Sequence, residues 1–430
     1  MSFRGFAISS LITLVILFGC LPPAGNAQAA AKEKTIFDLD GGDGNGPFAG
    51  VIFDSSGNMY GTAAYGGSRG NGTVFELSRT GNGIQHAVLH NFAGGSDGSQ
   101  SRAPLVMDSA GNLYGTTLHG GSANKGVVFE LTPGNGTWTE TVLHSFTGAP
   151  DGAKPYAGLL IGAGGALFGT TSGGGAKGRG TIFELAPSSG GWTESVLYSF
   201  TGKSDGASPR SGLIADAGGN LYGTTAGGGV AGCDIAAFGI GCGTAFELSP
   251  ANGGWQETVL YSFTGTGGDG ANSVAALIFD ASGNLYGTTQ YGGAGSCLYQ
   301  GAVVGCGTVF EISPASAGWQ ESVLYAFTSN SVYDGAEPLA PLVFDSLGNL
   351  YGTTAGGGNG FDRGSAYGGD GTVFELSPVN GAWQESILHA FDGNDGARPC
   401  GGLAFGSQGD LFGTTLTAGF DYGTVFGVRP

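Results

Sequence analysis

The chain has 430 residues, with 15 Lys plus Arg against 33 Asp plus Glu, a formal charge of −18 and a pI near 4.4. That balance repels phosphate backbones and anionic membrane surfaces, so nucleic acid is excluded as a partner. Gly makes up 90 residues, yet 27 Phe, 15 Tyr and a 40% hydrophobic content supply a core, which excludes a low-complexity chain.

The N-terminus reads as an export signal. Arg4 gives a short positive start, Phe6 to Phe18 is an apolar run too short to span a bilayer comfortably, and Ala27-Gln28-Ala29 offers a small-x-small cleavage site. Residues 1–29 are therefore expected to leave the mature protein. Leu17-Phe18-Gly19-Cys20 also resembles a lipobox, in which Cys20 would carry a lipid, and the two readings stay open. Either way the protein is exported to the periplasm, the cell surface or the medium. No later segment has the ~20 consecutive apolar residues of a membrane helix, so no transmembrane segment is expected in the mature chain.

From there the chain repeats itself. A Tyr/Phe-Gly-Thr tripeptide opens at Tyr60, Tyr114, Phe168, Tyr222, Tyr286, Tyr351 and Phe412, at spacings of 54, 54, 54, 64, 65 and 61 residues. Each unit carries four strand-length apolar runs bounded by Gly, Asn, Asp and Pro, without helical periodicity. In the fourth unit these are Leu213 to Ala215, Asn220 to Thr225, Thr244 to Leu248 and Trp255 to Phe263. Seven four-stranded antiparallel meanders predict an all-β chain, a seven-bladed β-propeller over residues 33–430. The last unit stops after Thr424-Val425-Phe426-Gly427-Val428, without a fourth run. Glu33 to Leu39 matches that missing run, so the N-terminal strand is expected to close the last blade.

The repeated phrase, seen whole as Asp205-Gly206-Ala207-Ser208-Pro209 through Asn220-Leu221-Tyr222-Gly223-Thr224-Thr225 to Gly243-Thr244 and on to Trp255 and Phe263, resembles the GloVer (Gloeo/Verruco) tandem repeat of bacterial choice-of-anchor proteins. The resemblance covers residues 33 to 430. It implies an exported, often surface-attached repeat protein and assigns no reaction. The chain departs from the pattern in showing no C-terminal sorting or membrane anchor, so an anchor would have to be Cys20.

A residue that recurs in every unit is first explained by what each unit needs to fold. An Asp-Gly pair precedes every first strand, at Asp43, Asp97, Asp151, Asp205, Asp269, Asp334 and Asp395. We read it as a turn whose carboxylate accepts backbone N–H bonds rather than as a Ca²⁺ ring, since Ca²⁺ wants six to eight oxygens. No cofactor or metal is expected. The third-strand Glu (Glu76, Glu130, Glu184, Glu247, Glu311, Glu375) should be buried and bonded to Thr hydroxyls or backbone N–H groups. The Trp at 138, 192, 255, 319 and 383 reads as blade packing. His90, His144 and His389 stand where other units have Tyr, and His86 replaces a fourth-strand Glu. Only His119 lies in a loop between second and third strands. No nucleophile motif appears, so no catalytic residue is assigned.

The departures are in that loop, which has 8 residues in units 1 to 3 but 17, 17 and 16 in units 4, 5 and 6, at 226–242, 290–306 and 355–370. Cys233 with Cys242, and Cys297 with Cys306, occupy equivalent positions and are expected as two local disulfides. Cys400 is left over, expected to be buried at the start of a first strand. Asp234, Phe238, Tyr299, Phe361, Arg363 and Tyr367, with His119, are the candidate ligand-binding residues. The expectation is a monomeric, non-catalytic propeller that binds a glycan or surface protein through the long loops of blades 4 to 6. The alternative is an extracellular carbohydrate- or lactone-active enzyme with its site at the channel mouth.

Overall fold

The computed structural model describes residues 33–81, 83–230, 233, 241–299, 302–316, 318–328, 334–358, 368–417 and 422–430. The signal segment and Cys20 lie outside these residues. Seven four-stranded antiparallel sheets form a ring, a seven-bladed β-propeller without an α-helix among the described residues. Within a blade the first strand is short, as at Ile214–Ala215, and the second follows at Leu221–Thr225. The third strand, Thr244–Ala251, runs three residues past the predicted Leu248 and meets the fourth, Gly254–Ser262, in a tight hairpin. No described helix is long and apolar enough to cross a membrane.

The last blade closes as expected. The strand Glu33–Asp38 pairs antiparallel with Thr424–Val428, Glu33 opposite Val428. Glu257 stands opposite Leu248 in the same register, so the first strand of the chain replaces the missing last strand of the ring. This pairing removes an unpaired sheet edge.

Each residue of the repeated tripeptide has a physical task. In blade 2 the Tyr114 hydroxyl lies 3.1 Å from Asp108 and 3.0 Å from Glu130. Gly115 lies under the Phe129 ring, where an added Cβ would meet Cζ at 2.5 Å. Thr116 donates across the seam to the Ala157 carbonyl of the next blade, at 3.2 Å. The Thr bond recurs round the ring, and Thr414 to Ala49 at 2.9 Å joins the last blade to the first. Edge-to-face Phe pairs span the seams as well, Phe92 to Phe129 at 5.2 Å and Phe263 to Phe310 at 5.1 Å. Such pairs add about 0.5–1.5 kcal/mol each beyond area burial.

One expectation is corrected here. The third-strand Glu is half-buried, and its partners are the tripeptide Tyr, as in Glu130, and the Ser two residues on, 2.7 Å from Glu247 and 2.8 Å from Glu375. Thr hydroxyls are occupied by the cross-seam carbonyls instead. Blades 3 and 7 show the dependence from the other side: Gly162 and Gly406 replace the turn Asp, and Phe168 and Phe412 replace the Tyr that would have bonded it.

The Asp-Gly reading as a turn agrees with the bonding. Asp205 accepts from the Thr201 N–H at 2.7 Å, from its hydroxyl at 2.6 Å and from Tyr198 at 3.1 Å. His90, His144 and His389 take the place of that Tyr, 3.0, 3.3 and 2.8 Å from Asp97, Asp151 and Asp395. The two predicted disulfides, Cys233–Cys242 and Cys297–Cys306, are formed, which fits an oxidising, exported setting. Cys400 is half-buried as a residue, and burial pushes its thiol up to about 12.

Candidate functional site

The connections between blades and the loops between second and third strands meet on one face, the mouth of the channel. In every blade the two segments pair, as Asn45 with Tyr65, Ser99 with His119 and Ala271 with Tyr291. The residue after each such Asp-Gly-x carries a positive φ: Gly46, Gln100, Lys154, Ser208, Asn272, Glu337 and Arg398, between 51° and 65°. Six of these seven are not glycine, so a left-handed backbone is imposed by context. The cause is a pair of backbone bonds. Gln100 donates to Asn71 of the preceding blade at 2.9 Å, and its carbonyl accepts from Leu118 at 3.1 Å; Lys154 repeats this with Lys125 and Ser172. Blade-to-blade hydrogen bonding thus holds polar side chains around the mouth.

Two residues further on, the seven blades present Phe48, Arg102, Tyr156, Arg210, Val274, Leu339 and Cys400, all half-buried. Blades 1 to 4 therefore alternate aromatic rings with guanidinium groups. The Arg102 guanidinium lies 4.4 Å from the Phe48 ring centre and 5.7 Å from those of Tyr65 and Tyr156, and Arg210 lies 5.5 Å from the Tyr156 ring. Arg102 donates to the Tyr156 hydroxyl at 2.9 Å, to Tyr65 at 2.5 Å and to Gln100 at 3.3 Å. All three partners are neutral. Of five N–H donors these use three, leaving Nε, buried without a partner, and one N–H on Nη1. No carboxylate pairs with Arg102 among the described residues, so its charge is compensated by ring faces alone.

His119 belongs to the same neighbourhood. Burial, then the nearby charges of Lys154 and Arg102, hold its imidazole below the ordinary 6.5. A neutral His beside two cations is a hydrogen-bonding group, and the local charge is positive. Asn272 of blade 5 is 3% exposed, and neither end of its amide has a partner. Glu337 of blade 6 is held by Gln290 at 2.9 Å. In that column the mouth thus offers aromatic rings and guanidinium groups on blades 1 to 4, and Val274, Leu339 and Cys400 on blades 5 to 7. Such a surface can hold an anion against a ring platform.

Of the residues singled out from sequence, His119 lies at this mouth. Tyr299 is half-buried in the blade 5 loop, its ring tilted against that of Tyr291, 1% exposed, at 5.8 Å. Asp234, Phe238, Phe361, Arg363 and Tyr367 lie outside the described residues. In blade 5 the loop carries a small hairpin, Leu298–Tyr299 with Ala302–Val303, whose Leu298 and Val303 are 44% and 68% exposed. Phe48, Arg102, Tyr156 and Arg210 were not singled out. Their signal was a variable column just after the repeated Pro position, in which four successive blades carry only aromatic or Arg side chains.

Two groups could ligate a cation on geometry alone, His144 with Asp151 and Glu194, and His389 with Asp395 and Glu33, their ligand atoms within 4.8 Å of one another. Both sit inside seams between blades. Each His and Asp already bond one another as the Tyr and Asp do elsewhere, which accounts for them as seam structure.

Fold and mouth define an exported-type β-propeller with seven blades and one asymmetric face. The chain belongs to the Gloeobacter/Verrucomicrobia repeat family, whose model matches residues 26–238 and 236–426. No curated protein matches the sequence. Among solved structures, the extracellular domain of a proposed one-component system from B. thetaiotaomicron is similar at a TM-score of 0.54 and 10% identity, over 93% of this chain and 40% of that one. The chain thus spans less than half the length of that protein. A proposed 6-phosphogluconolactonase from Bacteroides uniformis is similar at 0.50 and 14%, over 85% of this chain and 88% of that one. At such identities the likeness is one of fold.

Proposed function

We propose that the protein is a non-catalytic binding propeller whose mouth face receives an acidic glycan, the carboxylate or sulfate of a sugar lying against Arg102. The observation that carries this reading is Arg102 itself, a cation with neutral partners and unused donors in a chain of charge −18. Sugar rings stack on aromatic faces and uronate or sulfate groups accept from guanidinium, and Phe48, Tyr65 and Tyr156 supply the faces. On this reading the long loops of blades 4 to 6, with Asp234, Phe238, Tyr299, Phe361, Arg363 and Tyr367, would wall the site on its far side. An enzyme acting on glycosides would need a pair of acids beside the sugar, and the groups that Arg102 touches are aromatic rings and the Gln100 amide.

Titration of the mature protein with oligogalacturonate and with a neutral oligosaccharide of equal length tests this. The acidic ligand should bind at least about tenfold more tightly, and Arg102→Ala should remove about 1.5–3 kcal/mol of binding, the worth of a charge-assisted bond. Equal binding of the neutral sugar, or no change in R102A, would overturn the reading. Recovery of shortened sugar after incubation would move it to the enzyme.

A further inference from the structure

The opposite end of the ring, at the junction of the last blade with the first, carries a cavity of about 710 Å³. It opens because this junction departs from the repeat at four neighbouring positions. In five blades a Pro-Trp pair faces across the hairpin of third and fourth strands, Pro133 with Trp138 through Pro378 with Trp383. In blade 1 the same register holds Arg79 with Ile84. Across the seam, Phe412 stands where five blades have Tyr, and its partner Gly427 stands where six have Glu. Elsewhere the Trp covers the preceding blade's aromatic ring, as Trp138 covers Tyr60 and Trp192 covers Tyr114, each at 6.2 Å. Blade 3 shares the Phe, but Glu184 still stands opposite Phe168 and Trp255 still packs into that seam. The cavity therefore arises from loss of the Trp and of the Glu together.

The walls have two characters. Ile36, Ile84, Phe412 and Val428 form an apolar side. Lys34, Arg79 and Arg429 form the rim, with Arg429 bidentate on Asp410 at 2.8 and 3.2 Å and Arg79 over the Phe412 ring at 5.8 Å. The Glu33 carboxylate, although its residue borders the cavity, lies within 4.8 Å of His389 and Asp395 in the neighbouring seam. Lys34 and Arg79 are left without an ion-pair partner among the described residues. Ligand pockets typically run from about 300 to 1,000 Å³, lined mainly by apolar side chains with a few placed polar groups.

We infer that this cavity is a second ligand site, for an amphipathic organic anion whose apolar body lies on Phe412, Ile36 and Ile84 and whose carboxylate or sulfonate meets Arg79 and Lys34. It is independent of the mouth, from which it is separated by the length of the strands. Burial of an aryl or acyl body supplies the affinity, and the two cations select an anionic head over a neutral one.

The test uses two fluorescent probes that differ in one group, 8-anilinonaphthalene-1-sulfonate and the uncharged N-phenyl-1-naphthylamine. The sulfonate should bind saturably at one site, at least about tenfold more tightly than the neutral probe. Ile84→Trp fills the cavity with the residue that five other blades accommodate, so it should fold normally and lose at least about tenfold in sulfonate binding. Arg79→Gln, at the rim, should weaken the sulfonate about three- to tenfold and leave the neutral probe unchanged. R102A at the mouth should leave both probes unchanged, which separates this site from the glycan reading. Unsaturable binding, equal affinity for the two probes, or full binding in folded I84W would overturn the proposal.

Discussion

Six of the seven seams between blades are built alike, and the seventh, where the chain closes on itself, is built in the opposite sense. In the six, a fourth-strand Glu of one blade faces the Asp of the Asp-Gly turn from the blade before: Glu140 with Asp97, Glu194 with Asp151, Glu257 with Asp205, Glu321 with Asp269, Glu385 with Asp334 and Glu33 with Asp395. Five of these Glu bury one carboxylate oxygen without a partner. At the closing seam His86 takes the Glu position against Asp43, and Phe37, in place of Tyr or His, stacks on it at 4.7 Å. Leu39 likewise takes the position of the seam Phe. The difference teaches that the repeat sets how blades join, while the one non-covalent junction between chain ends sets a buried imidazole, in place of a second carboxyl, against the turn Asp.

The largest effects should come from the apolar contacts that distinguish the seams. Phe263 is fully buried against Phe310 in an ordinary seam, and Leu39 is 4% exposed in the closing one. Phe263→Ala should cost about 3–5 kcal/mol and Leu39→Ala about 2–4 kcal/mol, from lost burial plus the cavity left behind. Denaturant unfolding of each variant checks the order. If L39A proved the costlier, the closing seam would be the one on which the ring most depends.

The exchange of an acid for an imidazole gives the seams opposite responses to pH. Burial and then the facing Asp push Glu140, Glu257 and Glu321 up to about 7, and Glu385 to about 8. A raised carboxyl stabilises the fold fully below its ordinary value of 4.5 and loses that contribution as pH climbs through 7 to 8. Burial holds His86 below 6.5, against the pull of Asp43 and Asp40, so its contribution is present above 6.5 and lost as pH falls. Melting temperature should therefore decline from pH 5 to pH 8.5. Glu385→Gln should recover about 1–2 kcal/mol at pH 8.5, after allowance for solvent screening, and little at pH 5. His86→Glu should make the closing seam behave like the others, gaining at pH 5 and losing at pH 8.5. A wild-type melting temperature that rose with pH would break the comparison.

What the sequence shows of this molecule follows the same division. Blade number, strand order, closure by Glu33–Asp38 and both disulfides were legible because they rest on residues repeated at fixed spacing, each with one physical task. The left-handed residues at the mouth were not, because Gln100, Lys154, Asn272 and Glu337 share no backbone preference, and only the N–H bond to the neighbouring blade imposes the conformation. The cluster at Arg102 was hidden for a related reason. A column holding Phe, Arg, Tyr, Arg, Val, Leu and Cys looks unconstrained until the ring brings its members side by side. The third-strand Glu was expected to meet Thr because the cross-seam use of Thr116 and its counterparts is invisible within a single unit.

The smallest effect tests the coupling between turn Asp and tripeptide Tyr. Tyr114 donates toward both Asp108 and Glu130, so Tyr114→Phe should cost about 0.5–1.5 kcal/mol, the net worth of a hydrogen bond, with the fold intact. In blade 3 the ring already lacks the hydroxyl and Gly162 replaces the acceptor. A Cβ on Gly162 would meet the Phe168 ring at 2.5 Å, so the glycine makes room for a ring that leans into the space of the missing carboxylate. Phe168→Tyr should therefore gain nothing, and Gly162→Asp alone should destabilise blade 3. The double variant should recover part of that loss, because it restores donor and acceptor together. Thermal unfolding of the four proteins gives the coupling directly, and additive effects would mean that Asp and Tyr are lost together in blades 3 and 7 for a reason other than their shared bond.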